Sequence, residues 1–178
     1  VACLELRDPH TKGHSDRVKD LAVAMARRAL RDFSVLPVLA LSARLHDIGK
    51  TRISGDILKR PGPLTDKEWA EVKRHPLVGA DMLSSVLCLD AVVQGVRHHH
   101  ERYDGKGYPE GLAGPDIPLV ARIIAVADSY DAMTSDRPYR RALRPSEAAR
   151  EVLRNAGDQF DPDWAEALFQ IVMNSKVS

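Results

Sequence analysis

The sequence predicts an all-α chain folded as a single helical-bundle domain over residues 1–178. Three observations carry that prediction. Apolar residues recur at helical spacing almost throughout. No stretch alternates apolar and polar residues as a half-buried strand does. The irregular stretches "KRPGPL" and "ERYDGKGYPEGLAGPDIP" are rich in glycine and proline and read as connections. A chain of 178 residues buries roughly 70% of the surface its unfolded form exposes, so its core needs no staple.

The elements follow in order. In "HSDRVKDLAVAMARRAL", Val18, Leu21, Ala22, Met25 and Ala29 fall on one helical face. A second helix is predicted over residues 36 to 48. "PLTDKEW" is a capping box, with Thr65 as N-cap and Glu68 three residues on. Pro76 suits the first turn of the next helix. Residues 90 to 100 and 118 to 134 read as two more. Asp161 and Pro162 make an N-cap and first-turn pair, ahead of Trp164, Ala165, Leu168 and Val172 on one face. Gly157 fits the stop before them. The first residues, "VACLELRDPH", carry no signal-peptide pattern and start abruptly in a helix-like phrase, which reads as a domain cut from a longer chain.

Composition narrows the function classes. Lys plus Arg total 26 against 25 for Asp plus Glu, a balance of +1. That gives no global field for polymeric nucleic acid, so anion binding must be local. No apolar run approaches the ~20 residues of a membrane span. Cys3 and Cys88 are the only cysteines, which is no disulfide framework and fits a reducing, cytoplasmic setting.

Several apolar stripes end in polar residues. Val92 and Val96 lead to His99, and Val93 and Val96 lead to His100. Leu39 and Ala43 lead to His46, with Asp47 beside it. Val120, Ile124 and Ala127 lead to Asp128, with Asp131 a turn on. An ionised carboxylate in an apolar stripe is costly unless it is paired or binds a metal. Each residue alone has a bland reading: a hydrogen-bonded core histidine, an Asp paired with Arg, or His75 as the N-cap before Pro76. Their joint occurrence points to metal.

His14, His46, His75, His99, His100, Asp47 and Asp128 together offer five imidazoles and two carboxylates. That exceeds the four ligands of a tetrahedral zinc. It suits two divalent ions with mixed nitrogen and oxygen donors, iron or manganese before others. Asp47, with two oxygens beside a ligand, is the natural bridge. Paired ions at roughly 3.5–4 Å are suited to in-line displacement at phosphorus. Lys50 lies three residues past Asp47, where it can bind a phosphate oxygen or simply meet a helix C-terminus. Lys50, Asp47 and Asp131 are the candidate catalytic groups. Arg137, Arg140, Arg141 and Arg144 form a cationic run in which one or two members suit phosphate and the rest read as solvated surface.

Taken together, "LELRDPHTKGHSDRV", "LHDIGK", "ILKRPGPLT", "KRHPLVGADML", "HHHERYDGKGYP", "ARIIAVADSYDAMTSDRPYR" and "FDP" resemble the HD-GYP family of bacterial signalling phosphodiesterases, a branch of the HD superfamily. The resemblance covers nearly the whole chain. It implies an HD-type helical bundle that hydrolyses cyclic di-GMP to the linear dinucleotide pGpG, and in some members onward to GMP or on related cyclic dinucleotides. It places the metal ligands on the same seven residues and the catalytic lysine on Lys50. It places phosphate contacts on Arg137 and Arg140, and substrate or partner contacts on the loop of Gly107, Tyr108 and Pro109. His98, off the stripe, is expected to be a bystander. Members with a third metal carry Glu where this chain has His10, so two ions and a linear product are expected, with His10 as the possible third site. The alternatives are a hydrolase for another cyclic dinucleotide such as cyclic GMP-AMP, or a weak binding and sensing module. An upstream sensor or receiver domain and a protein partner at the GYP loop are further expectations of the resemblance.

Overall fold

The computed structural model describes residues 13–58, 60, 62–136 and 141–174. Nine α-helices follow one another in these residues: α1 His14–Ala29, α2 Leu36–Leu45, α3 Gly55–Leu58, α4 Asp66–Val72, α5 His75–Ser84, α6 Asp90–His98, α7 Leu119–Thr134, α8 Pro145–Arg154 and α9 Pro162–Asn174. Two short 3-10 turns, Ile48–Arg52 and Gly114–Asp116, interrupt them. The described residues contain no sheet, and their only strand-like pairing is two isolated bridges, Asp104 with Ala113 and Ala156 with Phe160. The all-α reading therefore holds, and no described helix is long and apolar enough to cross a membrane.

One main core runs through α1, α2, α7, α8 and α9. Val18, Ala22, Met25 and Ala26 from α1 meet Leu39 and Ala43 from α2, Ile123, Ile124 and Ala127 from α7, and Leu168 from α9, all fully buried. Ala29, expected on the apolar face, is exposed at the last turn of α1, and Ala26 takes the inward place. A smaller cluster of Leu83, Val92 and Val96 ties α5 to α6. α8 has no counterpart in the sequence reading. Its buried face is only Ala148, Ala149 and Val152, too small to stand out among charged neighbours.

Local signals account for several boundaries. The Thr65 capping box is present in both directions: Glu68 N–H donates to Thr65 Oγ1 at 3.4 Å, and Thr65 N–H donates to Glu68 Oε2 at 2.8 Å. Asp161 accepts from Asp163 N–H at 2.9 Å at the start of α9. α2 departs from expectation. It stops at Leu45 instead of continuing to residue 48, and the chain tightens into the 3-10 turn, with Lys50 N–H on Asp47 O at 2.9 Å.

Gly49 explains why the turn sits where it does. A Cβ on Gly49 would lie 2.0 Å from the carbonyl oxygen of His75 and 2.7 Å from Gly79 N. The absence of a side chain lets the turn after His46 and Asp47 close on the start of α5, which carries His75. The backbone neighbours on that side cannot yield as a side-chain tip can. Gly49→Ala is therefore expected to cost about 2 kcal/mol or more of unfolding free energy, by overpacking. Denaturant unfolding checks it: a loss below ~0.5 kcal/mol would show that the close approach is dispensable.

Candidate metal centre

Four helix termini and the 3-10 turn converge on one buried cluster. His14 opens α1, His46 and Asp47 follow α2, His75 opens α5, and His99 and His100 follow α6. Asp128 projects from α7. His46, His75 and His99 are each at most 1% exposed.

The histidines share one orienting device. Nδ1 of His46 lies 2.6 Å from Ala43 O, Nδ1 of His75 lies 2.7 Å from Val72 O, and Nδ1 of His99 lies 2.7 Å from Val96 O. A carbonyl only accepts, so each Nδ1 carries the hydrogen and each Nε2 turns a lone pair inward. His14 is held by a carboxylate instead, with Nδ1 2.7 Å from Asp131 Oδ2.

Inside the cluster the lone pairs face one another. Nε2 of His14 and Nε2 of His46 are 3.3 Å apart, and those of His75 and His99 are 3.2 Å apart. Two acceptors at that distance repel unless a proton or a cation lies between them. Asp47 joins the two pairs. Its Oδ2 lies 3.5 Å from His46 Nε2 and 3.9 Å from His14 Nε2, while its Oδ1 lies 3.2 Å from His75 Nε2. Oδ1 is buried with no hydrogen-bond partner, an arrangement costly for a carboxylate unless a cation meets it. Asp128 Oδ1 completes the first group, 3.3 Å from His14 Nε2.

Two sets of donor atoms result, each close enough to hold one ion. One contains His14, His46 and Asp47, with Asp128 at its side. The other contains Asp47, His75, His99 and His100. Asp47 belongs to both, as its two oxygens suggested. All seven expected ligands thus come together, and the donor chemistry fits two divalent cations with mixed nitrogen and oxygen ligation. Cys88 is exposed in the α5–α6 connection, away from this set.

The two halves differ electrostatically. Burial, then the charge of neighbouring His75, pushes His100 down to about 3. Burial likewise holds His99 well below the usual histidine range. Burial opposes a charge on His14 as well, but the Asp128 and Asp131 carboxylates outweigh it and raise His14 to about 9. Burial alone would lift Asp47. The Lys50 ammonium and His46 overcome that and hold it well below the carboxylate range. Lys50 Nζ donates to Asp47 Oδ2 at 2.7 Å and is 25% exposed, so it stands between the cluster and solvent.

Other candidates fall around this centre. Asp131, expected among the catalytic groups, lies against the outer nitrogen of His14. Its oxygens are taken by His14 Nδ1 and by Arg17, whose Nε donates at 2.6 Å. Tyr108 stacks on His100, with ring centroids 4.9 Å apart. Gly107 serves a close approach: a Cβ there would lie 2.3 Å from Arg102 N and 2.5 Å from Glu101 Cα. His98 is buried but turned away from the cluster, between Gln94 O and Glu110 Oε2. His10, Arg137 and Arg140 lie outside the described residues.

Arg17 and Glu101 went unnoticed in the sequence reading. Glu101 is buried and accepts from Glu110 N–H at 2.7 Å and Gly111 N–H at 3.1 Å, tying down the loop that carries Tyr108. Both residues stand inside quoted motifs. Arg17 meets Asp131 across 114 positions, and Glu101 accepts from backbone N–H groups in an irregular loop, so no periodic spacing marks either.

Comparison with known proteins finds similar chains and a similar fold. A family model described as HD domain matches residues 2–164. A cyclic di-GMP phosphodiesterase of Pseudomonas aeruginosa is 44% identical over 170 residues, covering 95% of this chain and 41% of the relative. A 3'3'-cGAMP-specific phosphodiesterase of Vibrio cholerae is 35% identical over 165 residues, covering 93% of this chain and 36% of the relative. The chain thus spans less than half the length of these curated relatives. A solved structure of an HDG"Y"P protein from Bdellovibrio bacteriovorus superposes with a TM-score of 0.72 at 23% identity, covering 90% of this chain and 51% of the other.

The asymmetry of the two halves has a measurable consequence. Below pH 9 the metal-free protein holds a proton on His14, which an incoming ion must displace. His100 holds none above about pH 3. As pH falls from 9 to 7, affinity at the His14 half should drop about tenfold per unit, while His100 imposes no such penalty on the other half. Metal titration at several pH values tests this. Equal pH dependence of both ions would contradict it.

Proposed function

The chain belongs to the HD domain family, on its HD-GYP branch, and on that premise we propose that it is a metal-dependent phosphodiesterase that opens cyclic di-GMP to the linear dinucleotide. The observation that carries the reading is the shared carboxylate: two histidine groups facing inward on either side of Asp47, whose Oδ1 has no hydrogen-bond partner. His14, His46 and Asp128 would hold one ion and His75, His99 and His100 the other, with Asp47 between them. When bound, two divalent ions, iron or manganese by donor type, supply Lewis acidity to a phosphodiester and lower the pKa of water.

The chain's own residues have separate tasks. Lys50 brings an ammonium to the edge of the cluster, where it can meet a phosphate oxygen and donate a proton toward the leaving oxygen. Tyr108, stacked on His100, covers one flank of the centre and limits water there. Glu101 and the close packing of Gly107 hold that loop in place. Asp131 and Arg17 act through His14, fixing its ring so that Nε2 points inward. Arg137 and Arg140 remain the proposed phosphate contacts, on the resemblance alone. The described ligands make two ion sites, which supports a linear dinucleotide as the main product. Similarity to the relative named for 3'3'-cGAMP favours cyclic GMP-AMP as the second candidate substrate.

Incubating the manganese-loaded chain with cyclic di-GMP or cyclic GMP-AMP, followed by chromatography, tests the reading. Linear dinucleotide from cyclic di-GMP is the expected outcome. No turnover of either substrate by protein holding both ions would refute it, and GMP as the dominant early product would refute the single cut. Lys50→Ala should keep both ions and lower kcat roughly hundredfold or more. Loss of metal in that variant, with the fold intact, would give Lys50 a different role. Asp131→Asn should weaken the His14-side ion by about 10–100-fold while leaving the other ion in place. Unchanged affinity for both ions would remove Asp131 and Arg17 from the account.

A further inference from the structure

A groove of about 500 Å³ lies beside the metal centre, between the 3-10 turn after His46 and the face of α4 and α5. Gly49 and His75 line it, so it shares a wall with the cluster without being part of it. Its rim carries Arg52, Lys67 and Arg74 against a single acid, Glu71. Lys67, Glu71 and Arg74 are spaced by four and three, which puts them on one side of the helical segment, and Arg52 lines the same groove from the 3-10 turn. All three cations are exposed, and none forms an ion pair with a described residue. Other exposed cations, such as Arg27 and Arg150, are unpaired among the described residues too, so the groove is marked by three of them standing around one cavity. Arg97, Arg102 and Arg122 each find a carboxylate within 2.8 Å. Between the cations lies apolar surface from Ile53, Ala70 and Val78.

We propose that this groove binds a nucleotide, its phosphate held by Arg52, Lys67 and Arg74 and its base lying on Ile53, Ala70 and Val78. The volume falls in the range of small-molecule sites, roughly 300–1,000 Å³. Guanidinium forks suit phosphate oxygens, and the rim surplus of two positive charges (three cations less one acid) would attract a dianion. An apolar floor adds what a bare phosphate site lacks. The nucleotide can come from two sources: the remote half of a dinucleotide substrate, or a free mononucleotide. The inference stands on the groove and not on turnover, so it survives a failed diesterase assay.

The test compares metal-loaded wild type with the Arg52→Glu/Arg74→Glu double variant. GMP and guanosine are titrated calorimetrically, and KM is measured for cyclic di-GMP. Metal content and hydrolysis of bis(p-nitrophenyl) phosphate, a diester with no second phosphate for the rim to hold, should match in the two proteins. GMP binding at least tenfold weaker in the variant, with guanosine weak in both, supports the site. A raised KM for cyclic di-GMP assigns the groove to the substrate's remote half, and an unchanged KM alongside lost GMP binding assigns it to a free nucleotide. If neither GMP binding nor KM changes, the groove is solvated surface and the proposal is overturned. Should the double charge reversal prevent folding, Arg52→Gln/Arg74→Gln carries the same comparison, with the same outcomes.

Discussion

One buried carboxylate governs the architecture. Asp47 is 3% exposed, stands among imidazoles that turn lone pairs toward it, and among the described residues has Lys50 as its one Lys or Arg partner at bonding distance. Such a group is stable only where positive charge can meet both of its oxygens. Lys50 serves Oδ2. Oδ1 is left to the histidine group of α5 and α6. The facing Nε2 atoms of His75 and His99 and the unpartnered Oδ1 are the same problem seen from two sides, and divalent cations on either side of Asp47 would resolve both.

The fold can be read as the means of delivering ligands to that carboxylate. Helix ends bring histidines in because the i−3 carbonyl at each of three positions takes Nδ1–H and fixes the ring. The device costs no extra residues, since it uses backbone carbonyls. Two glycines make the convergence possible. Gly49 lets the Asp47 turn close on His75, and Gly107 lets the Tyr108 loop fold back on Glu101. Around the ligands, Arg17 and Asp131 are pinned by a long-range contact and Glu101 by its own loop, so the centre is oriented from several elements at once.

Much of this was legible in the sequence, and particular residues show why. His46, His99, His100 and Asp128 continue apolar stripes, so helical periodicity alone pointed them inward. The Thr65 box and the Asp161–Pro162 start are local and appear as expected. What the sequence hid depends on partners far along the chain. Arg17 meets Asp131 across 114 positions, and no spacing rule connects them. The early end of α2 was hidden for the same reason, because the need for Gly49 is set by the carbonyl of His75. Asp131 looked like one more inward acid, and only the structure shows its oxygens taken by Arg17 and by Nδ1 of His14.

The central claim is that Asp47 bridges two ions. Electron paramagnetic resonance of the manganese-loaded chain, with metal content measured on the same sample, tests it most directly. Two manganese ions per chain with an exchange-coupled spectrum are predicted, because a shared carboxylate holds them at roughly 3.5–4 Å. One ion per chain, or two giving the resolved hyperfine lines of isolated manganese, would contradict the account.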